Sequence, residues 1–496
     1  MNIVWFKRDL RTIDHEPLSL AIAEKEPFIC LLIIETKLWQ ESDLSPRQYQ
    51  FYFDSINELK TDLKQLNIDL CIKVGDTLDI LNYISSKYTI KHIFSHMETW
   101  NNWTFKRDSL VKKWCKSKHI KWLEFRQFSV FRSLNSRDGW STKAAQLMKR
   151  PLINVTPTNF SNQLISDPIP SLNSVFNNND ISSLMQKGGR SEGLLLLDSF
   201  FSSRGCFYSK DMSSPNTAFK SCSRLSPYIA FGCLSLKEIH HYTYEFKSTA
   251  LIDSDLTKKK WSRTCRSFLS RLSWHCHFIQ KLESEPSIEF ENFHSAYDKL
   301  NYNVPTYCDY FDRWKYGQTG FPMIDACMRA LKSWGWLNFR MRAMVMSFAA
   351  HHLFLHWKNP AIYLASQFVD YEPGIHYSQC QMQAGTTGIN SIRIYNPIKQ
   401  SKDHDPNGTF IKQWVHELKH CPLQHIHTPW EWESSQNKYI APVIIENEAR
   451  KYAASQLYSL RKSVKFSKEA TTIIKKHASR KRPAKINPKQ LPLIDV

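Results

Sequence analysis

The chain has 496 residues, 42% of them hydrophobic, so it can build two or three ordinary cores, and global disorder is excluded. Its 66 Lys and Arg stand against 46 acids, a formal charge of +20 that suits a polyanion such as nucleic acid. No stretch approaches the ~18 apolar residues of a membrane span, the twelve cysteines contain no CxxC pair, and Lys7, Arg8 and Asp9 interrupt any signal-peptide stretch. A cytoplasmic protein with reduced thiols, no membrane segment and no metal centre is therefore expected.

Residues 1–130 alternate apolar runs with amphipathic stretches. Ile3–Phe6 and Phe28–Ile34 are predicted strands buried on both faces, Gln48–Leu66 carries helical spacing, and Leu70–Val74 and His92–Ser95 are further strands. The alternation predicts an α/β domain with a parallel Rossmann-like sheet and ligands at the carboxyl ends of its strands. No GxGxxG follows the first strand, so an ordinary dinucleotide fingerprint is missing.

Residues 131–192 read as a linker, with Pro151, Pro157, Pro168, Pro170 and the cluster Asn177–Asp180. Residues 193–450 read as an all-α domain, with Leu269, Leu272, Ser273 and Cys276 on one stripe and a long helix expected from Ala343 to Trp357. Most of the sixteen Trp are expected in its core. Residues 451–496 form a basic tail: Arg461 to Lys489 holds eleven Lys or Arg and one acid, Glu469, and is expected to be disordered or weakly helical.

Five motifs then occur in order. They are Trp5-Phe6-Lys7-Arg8-Asp9-Leu10-Arg11; Cys222-Ser223-Arg224-Leu225-Ser226-Pro227-Tyr228-Ile229-Ala230-Phe231-Gly232; Trp314 to Arg329; Gly335-Trp336 through Arg340 and Arg342; and Arg393-Ile394-Tyr395-Asn396-Pro397 with Gln400 and Asp405-Pro406. Together they resemble the DNA photolyase/cryptochrome family over most of residues 1–435.

The resemblance implies FAD in the helical domain, a folate, a deazaflavin or no antenna chromophore in the first domain, and DNA carrying UV photoproducts as the partner of a monomeric enzyme. It places the FAD pyrophosphate at Cys222, Ser223, Arg224, Leu225 and Ser226, where a helix N-terminus suits an anion, with Tyr208 nearby. Arg342 and Asp370 correspond to the ion pair against the isoalloxazine ring and Glu372 to a second FAD-binding acid. Trp274, Arg340, Met382 and Gln400 fall on DNA-contacting positions, Trp274 stacking on the damaged bases.

Several positions depart from the family pattern. His376 stands where the family has an Asn facing the flavin N5, Cys380 where it has the proximal photoreducing Trp, and Met382 where a Trp packs on the lesion. Trp357 keeps the middle place of the three-Trp relay, with Tyr302 a substitute for the surface member. Arg271 replaces a Glu that contacts the dimer, and its charge would suit a dimer radical anion. His376 is expected to titrate near neutral pH. These residues imply light-driven splitting of cyclobutane pyrimidine dimers by reduced FAD, with Arg271, Trp274, His376 and Trp357 as its catalytic set. The alternatives are a cryptochrome-like blue-light receptor and a nucleic-acid-binding flavoprotein without a light function.

Overall fold

A computed structural model describes residues 1–134, 136–157, 164–177, 181–249, 255–303, 309–434 and 437–478. The first part is a five-stranded parallel sheet: β1 (Asn2–Phe6), β2 (Phe28–Ile34), β3 (Leu70–Val74), β4 (His92–His96) and β5 (Lys121–Phe125), in the order β3-β2-β1-β4-β5. Helices α1 (Glu16–Ala23), α2 (Pro46–Gln65), α3 (Thr77–Lys87) and α4 (Asn102–Ser117) make the connections. Every residue of β1 and β2 is buried, as expected of strands covered on both faces. The fifth strand has no clear apolar run, because Lys121 and Glu124 interrupt it at the sheet edge.

In α2, Pro46 occupies the first turn, where its missing N–H costs nothing, and Phe51, Ile56, Leu59 and Leu63 are buried at helical spacing. Strand order reverses between β1 and β4, the switch point at which open α/β sheets present a crevice. A cavity of about 150 Å³ lies beside it, at the carboxyl ends of β4 and β5, lined in part by His96, Phe125, Arg126, Arg150 and Lys237.

The linker is not a bare connector. It contains α5 (Trp140–Met148) and a single turn, α6 (Leu172–Val175). Trp140 is buried, with its indole N–H given to the Ser129 carbonyl, while Gln280 exchanges hydrogen bonds with both backbone groups of Phe131 (2.7 and 2.9 Å). Asp167 extends the pairing beyond β3, its N–H reaching the Ile72 carbonyl at 2.8 Å. Buried apolar anchors between the prolines explain the order. Asn178, Asn179 and Asp180 lie outside the described residues.

The rest is helical: α7 (Arg190–Ser202), α8 (Tyr208–Asp211), α9 (Pro215–Ser221), α10 (Ser226–Ala230), α11 (Leu236–Thr249), α12 (Asp255–Ser284), α13 (Tyr310–Lys315), α14 (Pro322–Trp334), α15 (Phe339–Ser347), α16 (Lys358–Gln367), α17 (Pro373–Ala384), α18 (Pro397–His404), α19 (Thr409–Trp414), α20 (Glu446–Leu460) and α21 (Val464–His477). Of the stripe expected on α12, Leu272 and Cys276 are buried and Leu269 is half-buried, but Ser273 is exposed. Trp314, Trp336 and Trp357 are buried, as a core role requires.

Two expectations fail here. The helix foreseen from Ala343 to Trp357 ends at Ser347, gives a π-turn over Phe348–His352, and then reverses at Phe354 with a left-handed φ of 49°. Polar side chains find partners off the helix axis: Ser347 and His351 bond each other at 2.9 Å, and His351 reaches the Ala384 carbonyl at 3.2 Å. The basic tail is ordered as far as residue 478. In α21, Phe466 stacks on His294 (ring centroids 3.9 Å apart), Ile473 and His477 are buried, and Glu469 accepts the Ser295 amide at 2.7 Å. One apolar stripe suffices to dock a strongly charged helix. The run Arg480-Lys481-Arg482 lies outside the described residues.

Two of the sequence motifs meet where the halves join. Leu10 N–H bonds the Phe231 carbonyl at 3.2 Å, Arg8 donates to Ala230 at 2.9 Å and Arg11 to Gly232 at 3.0 Å. Gly232 has φ +69°, and a Cβ there would fall 2.3 Å from the Arg8 carbonyl oxygen, so only glycine permits this approach. The motif Trp314 to Arg329 is scaffolding. Asp325 is buried and accepts from Thr319, Gly320 and Tyr439, and Trp314 gives its indole N–H to Val345.

Candidate functional site

The turn Cys222–Ser226 connects α9 to α10, a helix of only five residues that Ser226 begins. The macrodipole of so short a helix is small. The backbone supplies the anion-binding geometry instead: Arg224 is left-handed (φ 61°) and Leu225 right-handed (φ −87°), an alternation that points successive N–H groups into one concavity. Leu225 is buried and anchors the turn, whereas Ser223 and Ser226 stay half-exposed.

Arg204 donates to the carbonyls of Lys220 and Cys222, both at 2.7 Å, and covers the acceptor side of the turn. The Arg224 side chain is buried between the rings of Phe219 (4.0 Å) and Trp336 (4.3 Å), and its Nε donates to Gln186 at 3.0 Å. Its Nη2 is buried without a partner among the described residues. Burial lowers Arg224 to about 10, with Asp370 opposing and Arg342 adding to the fall. Arg204 and Gln186 carried no motif, so the sequence did not reveal them.

Arg342 begins a second group. Its Nη2 bridges both oxygens of Asp370 at 2.9 and 3.0 Å, its Nε donates to the Leu337 carbonyl at 2.7 Å, and its guanidinium lies 3.9 Å from the Phe368 ring centre. The expected ion pair is present, and Arg224 and His376 both stand in its field.

His376 is half-buried on α17. Its Nε2 makes a 2.7 Å hydrogen bond to the Ala361 carbonyl, and the Cys380 sulfur lies 3.6 Å from the same nitrogen. A carbonyl accepts only, so Nε2 carries the proton and Nδ1 holds the free lone pair. Burial lowers His376 to about 4, so the expected titration near neutrality does not occur and the ring stays uncharged.

Glu372 is less available than expected. One oxygen accepts from Arg8 of the first domain at 3.1 Å, and the other, Oε1, is buried with no partner among the described residues. Tyr208 is buried within reach of Arg271, whose charge also acts on Cys222, so Arg271 reaches the turn. Trp274, one turn further along α12, is 41% exposed and packs on Phe278 (5.7 Å between centroids). Helix α12 crosses α17 at Gly374, where a Cβ would stand 2.6 Å from Ile279 Cα. Met382 is half-buried on α17, Arg340 lies 5.9 Å from the Tyr395 ring, and Gln400 is half-buried on α18. Trp357 is fully buried, and its N–H goes to Asn292 at 2.8 Å. Its ring continues through His356 (5.7 Å) to Tyr302 (5.0 Å), so the suggested surface member is connected.

Asp9, His15 and His96 converge below the first strand at distances a metal would accept. Their protons argue otherwise. His15 Nδ1 accepts the Leu18 N–H, so its Nε2 must carry a proton, which it gives to Asp9 at 3.0 Å. His96 Nδ1 stands 2.7 Å from the same carboxylate oxygen, and burial lowers His96 to about 3. This is a satisfied hydrogen-bond triad, not a ligand set.

Comparison with known proteins agrees with this architecture. A family model described as DNA photolyase matches residues 2–141, and the FAD binding domain of DNA photolyase matches residues 268–459, together about two thirds of the chain. The chain belongs to the DNA photolyase/cryptochrome family. A protein of Buchnera aphidicola named deoxyribodipyrimidine photo-lyase is 26% identical over 481 residues, covering 92% of this chain and 96% of its own. A cryptochrome DASH of Gloeobacter violaceus is 26% identical over 474 residues, covering 86% and 88%. The crystal structure of an archaeal photolyase from Sulfolobus tokodaii with two FAD molecules superimposes with a TM-score of 0.77 at 25% identity, covering 92% of this chain and 100% of that one.

The helical part is thus an FAD-binding domain, and the residues present fit the group. An anion concavity, a charge pair and two buried polar atoms that lack partners among the described residues (Arg224 Nη2 and Glu372 Oε1) suit a ligand with phosphates at one end and a polar ring system at the other.

Proposed function

We propose that this chain is a light-driven DNA-repair flavoenzyme that splits cyclobutane pyrimidine dimers. The observation that carries the reading is Trp274, a large ring left 41% exposed on α12, the helix packed directly against α17 with His376 and Cys380. An exposed indole beside a redox site is a stacking surface for an unpaired base.

Reduced FAD, when bound, would supply one-electron chemistry with no net redox change. The protein's residues bind and orient. The amides of Cys222–Ser226 and the Arg224 guanidinium hold the pyrophosphate, Tyr208 closes that end, and Arg271 adds charge there, a role its position favours over contact with the dimer. Arg342, fixed by Asp370, would present a permanent cation to the bound ring system and favour its anionic reduced form. His376 offers Nδ1 as an acceptor, and Glu372 offers Oε1. With Trp274, Arg340, Gln400 and Met382 would contact the DNA. The cavity at the carboxyl ends of β4 and β5 is the place for an antenna chromophore.

The test is to illuminate the reduced holoprotein with dimer-containing oligonucleotide and follow the return of thymine absorbance. Repair of the cyclobutane dimer supports the reading; no restoration removes it. A second reading, blue-light signalling through an FAD redox change, is favoured by Arg271, because the side chain at that turn of α12 is a cation directed to Tyr208 and not a carboxylate. It predicts a change of partner affinity in light without repair.

A further inference from the structure

Two tyrosines and one carboxylate meet between the halves of the protein, and the site described above uses none of them. Tyr371 stands between Asp370, the partner of Arg342, and Glu372. Its hydroxyl donates to Asp43 Oδ2 at 2.5 Å, from the second part to the first. Tyr377, one turn along α17, hydrogen-bonds the same carboxylate. Their rings are 6.2 Å apart, and each packs edge-on against His376, at 5.4 and 5.3 Å. Trp357 reaches Tyr377 at 6.2 Å and Trp100 reaches Tyr371 at 6.2 Å, so the pair lies at the centre of a contact series of aromatic rings. Cys380, the residue on the neighbouring turn, contributes no ring.

A phenol loses an electron readily only if its proton leaves too, because the radical cation is very acidic. Both hydroxyls are buried, which pushes their ionisation well above the ordinary tyrosine range, so they do not ionise beforehand. A base within hydrogen-bond reach is then required, and Asp43 is placed as one. Burial raises Asp43 above the ordinary carboxylate range, with the Tyr371 hydrogen bond opposing, and its neighbour Glu289 is pushed to about 8 by burial and by the charge of Asp43.

We propose that Tyr371, with Asp43 as its proton acceptor and Tyr377 as its partner, is the internal electron donor to the photoexcited oxidised flavin. This rests on the FAD placement proposed above. One electron passes from the Tyr371 ring to the flavin, the O–H bond breaks, and the proton goes to Asp43 Oδ2, leaving a neutral tyrosyl radical and a protonated Asp43. An external thiolate then returns one electron to the radical while Asp43 returns the proton, so the thiol is the net reductant.

The test uses flavin-loaded full-length protein under blue light, read by electron paramagnetic resonance, by photoreduction rate with added thiol, and by bound-flavin absorbance as the measure of occupancy. A tyrosyl signal is expected in the unaltered chain. Tyr371→Phe at full occupancy should remove it and slow photoreduction at least about tenfold, and Asp43→Asn should slow it similarly and abolish the slowing seen in D2O. Photoreduction of Tyr371→Phe at the unaltered rate, or a tryptophanyl signal that vanishes in Trp357→Phe but survives in Tyr371→Phe, overturns the proposal. A protein that binds no flavin removes the cofactor placement and this inference together. A loaded protein with no tyrosyl signal removes this inference alone.

Discussion

Two buried charge clusters flank Glu372, and they are completed to different degrees. On the first side Arg8 and Arg107 meet Glu35, Glu98 and Glu372, all nearly buried, and Arg107 alone pairs with three acids. Burial pushes Glu98 up, yet Arg107, Lys7 and Arg8 together hold it at about 2. On the other side, among the described residues, Arg342 has one carboxylate partner, Arg224 has none within salt-bridge distance, and Arg224 Nη2 and Glu372 Oε1 lack partners. A closed network locks two halves together; a cluster with uncommitted polar atoms is finished by a ligand.

The largest expected effect breaks the closed cluster. Arg8→Ala strands Glu372 as a buried carboxylate and leaves Glu98 to Arg107, and should cost about 3–5 kcal/mol of stability, read by denaturant unfolding of the apoprotein. Arg342→Ala should lower FAD affinity about ten- to a hundredfold, on the order of 1.5–3 kcal/mol for hydrogen bonds to a charged group, with a smaller change in apoprotein stability. If both variants unfold alike, the distinction between lock and ligand site fails.

Acid should weaken the fold. Burial lowers His96 and His351 to about 3, so the folded protein refuses protons that the unfolded chain takes up near 6.5. Their contribution is complete above about pH 6.5 and is lost as pH falls from there toward 3, at up to about 1.4 kcal/mol per pH unit for each histidine. Urea midpoints at pH 7.5 and pH 5 measure it. His376, lowered to about 4, follows the same sign, so the absorbance of bound flavin should not titrate through His376 between pH 6 and 8.

The smallest effect concerns α21. Glu285, held at about 2 chiefly by its hydrogen bond to His477, also pairs with Lys476 at 3.0 Å. Its contribution is present above about pH 4.5 and disappears as pH falls toward 2. Glu285→Gln should cost no more than about 1 kcal/mol and appear as faster proteolysis near α21 with the rest of the chain intact.

Strands β1 to β4 were legible because each carries an apolar run between amphipathic stretches; β5 was not, because Lys121 and Glu124 break its run at the sheet edge. The pair Arg342–Asp370 was legible through motifs, yet Gln186, Arg204 and Asp43 stood in segments with no periodicity and reach the site only by folding. The tail misled because its charge density hid Phe466 and Ile473, which sit one above the other on α21.

Sequence alone determined the parallel sheet followed by a helical half, the family, and the residue types at the site, since these follow from local periodicity and from short motifs. Tertiary structure alone decided the states of those residues. His376 is neutral because Ala361 and the surrounding core exclude a charge, Glu372 is half-committed because Arg8 approaches it from the other half, and Arg271 reaches Tyr208 because α12 passes that turn. Burial and partners set the free energy of a charge, and both depend on segments far apart in the chain.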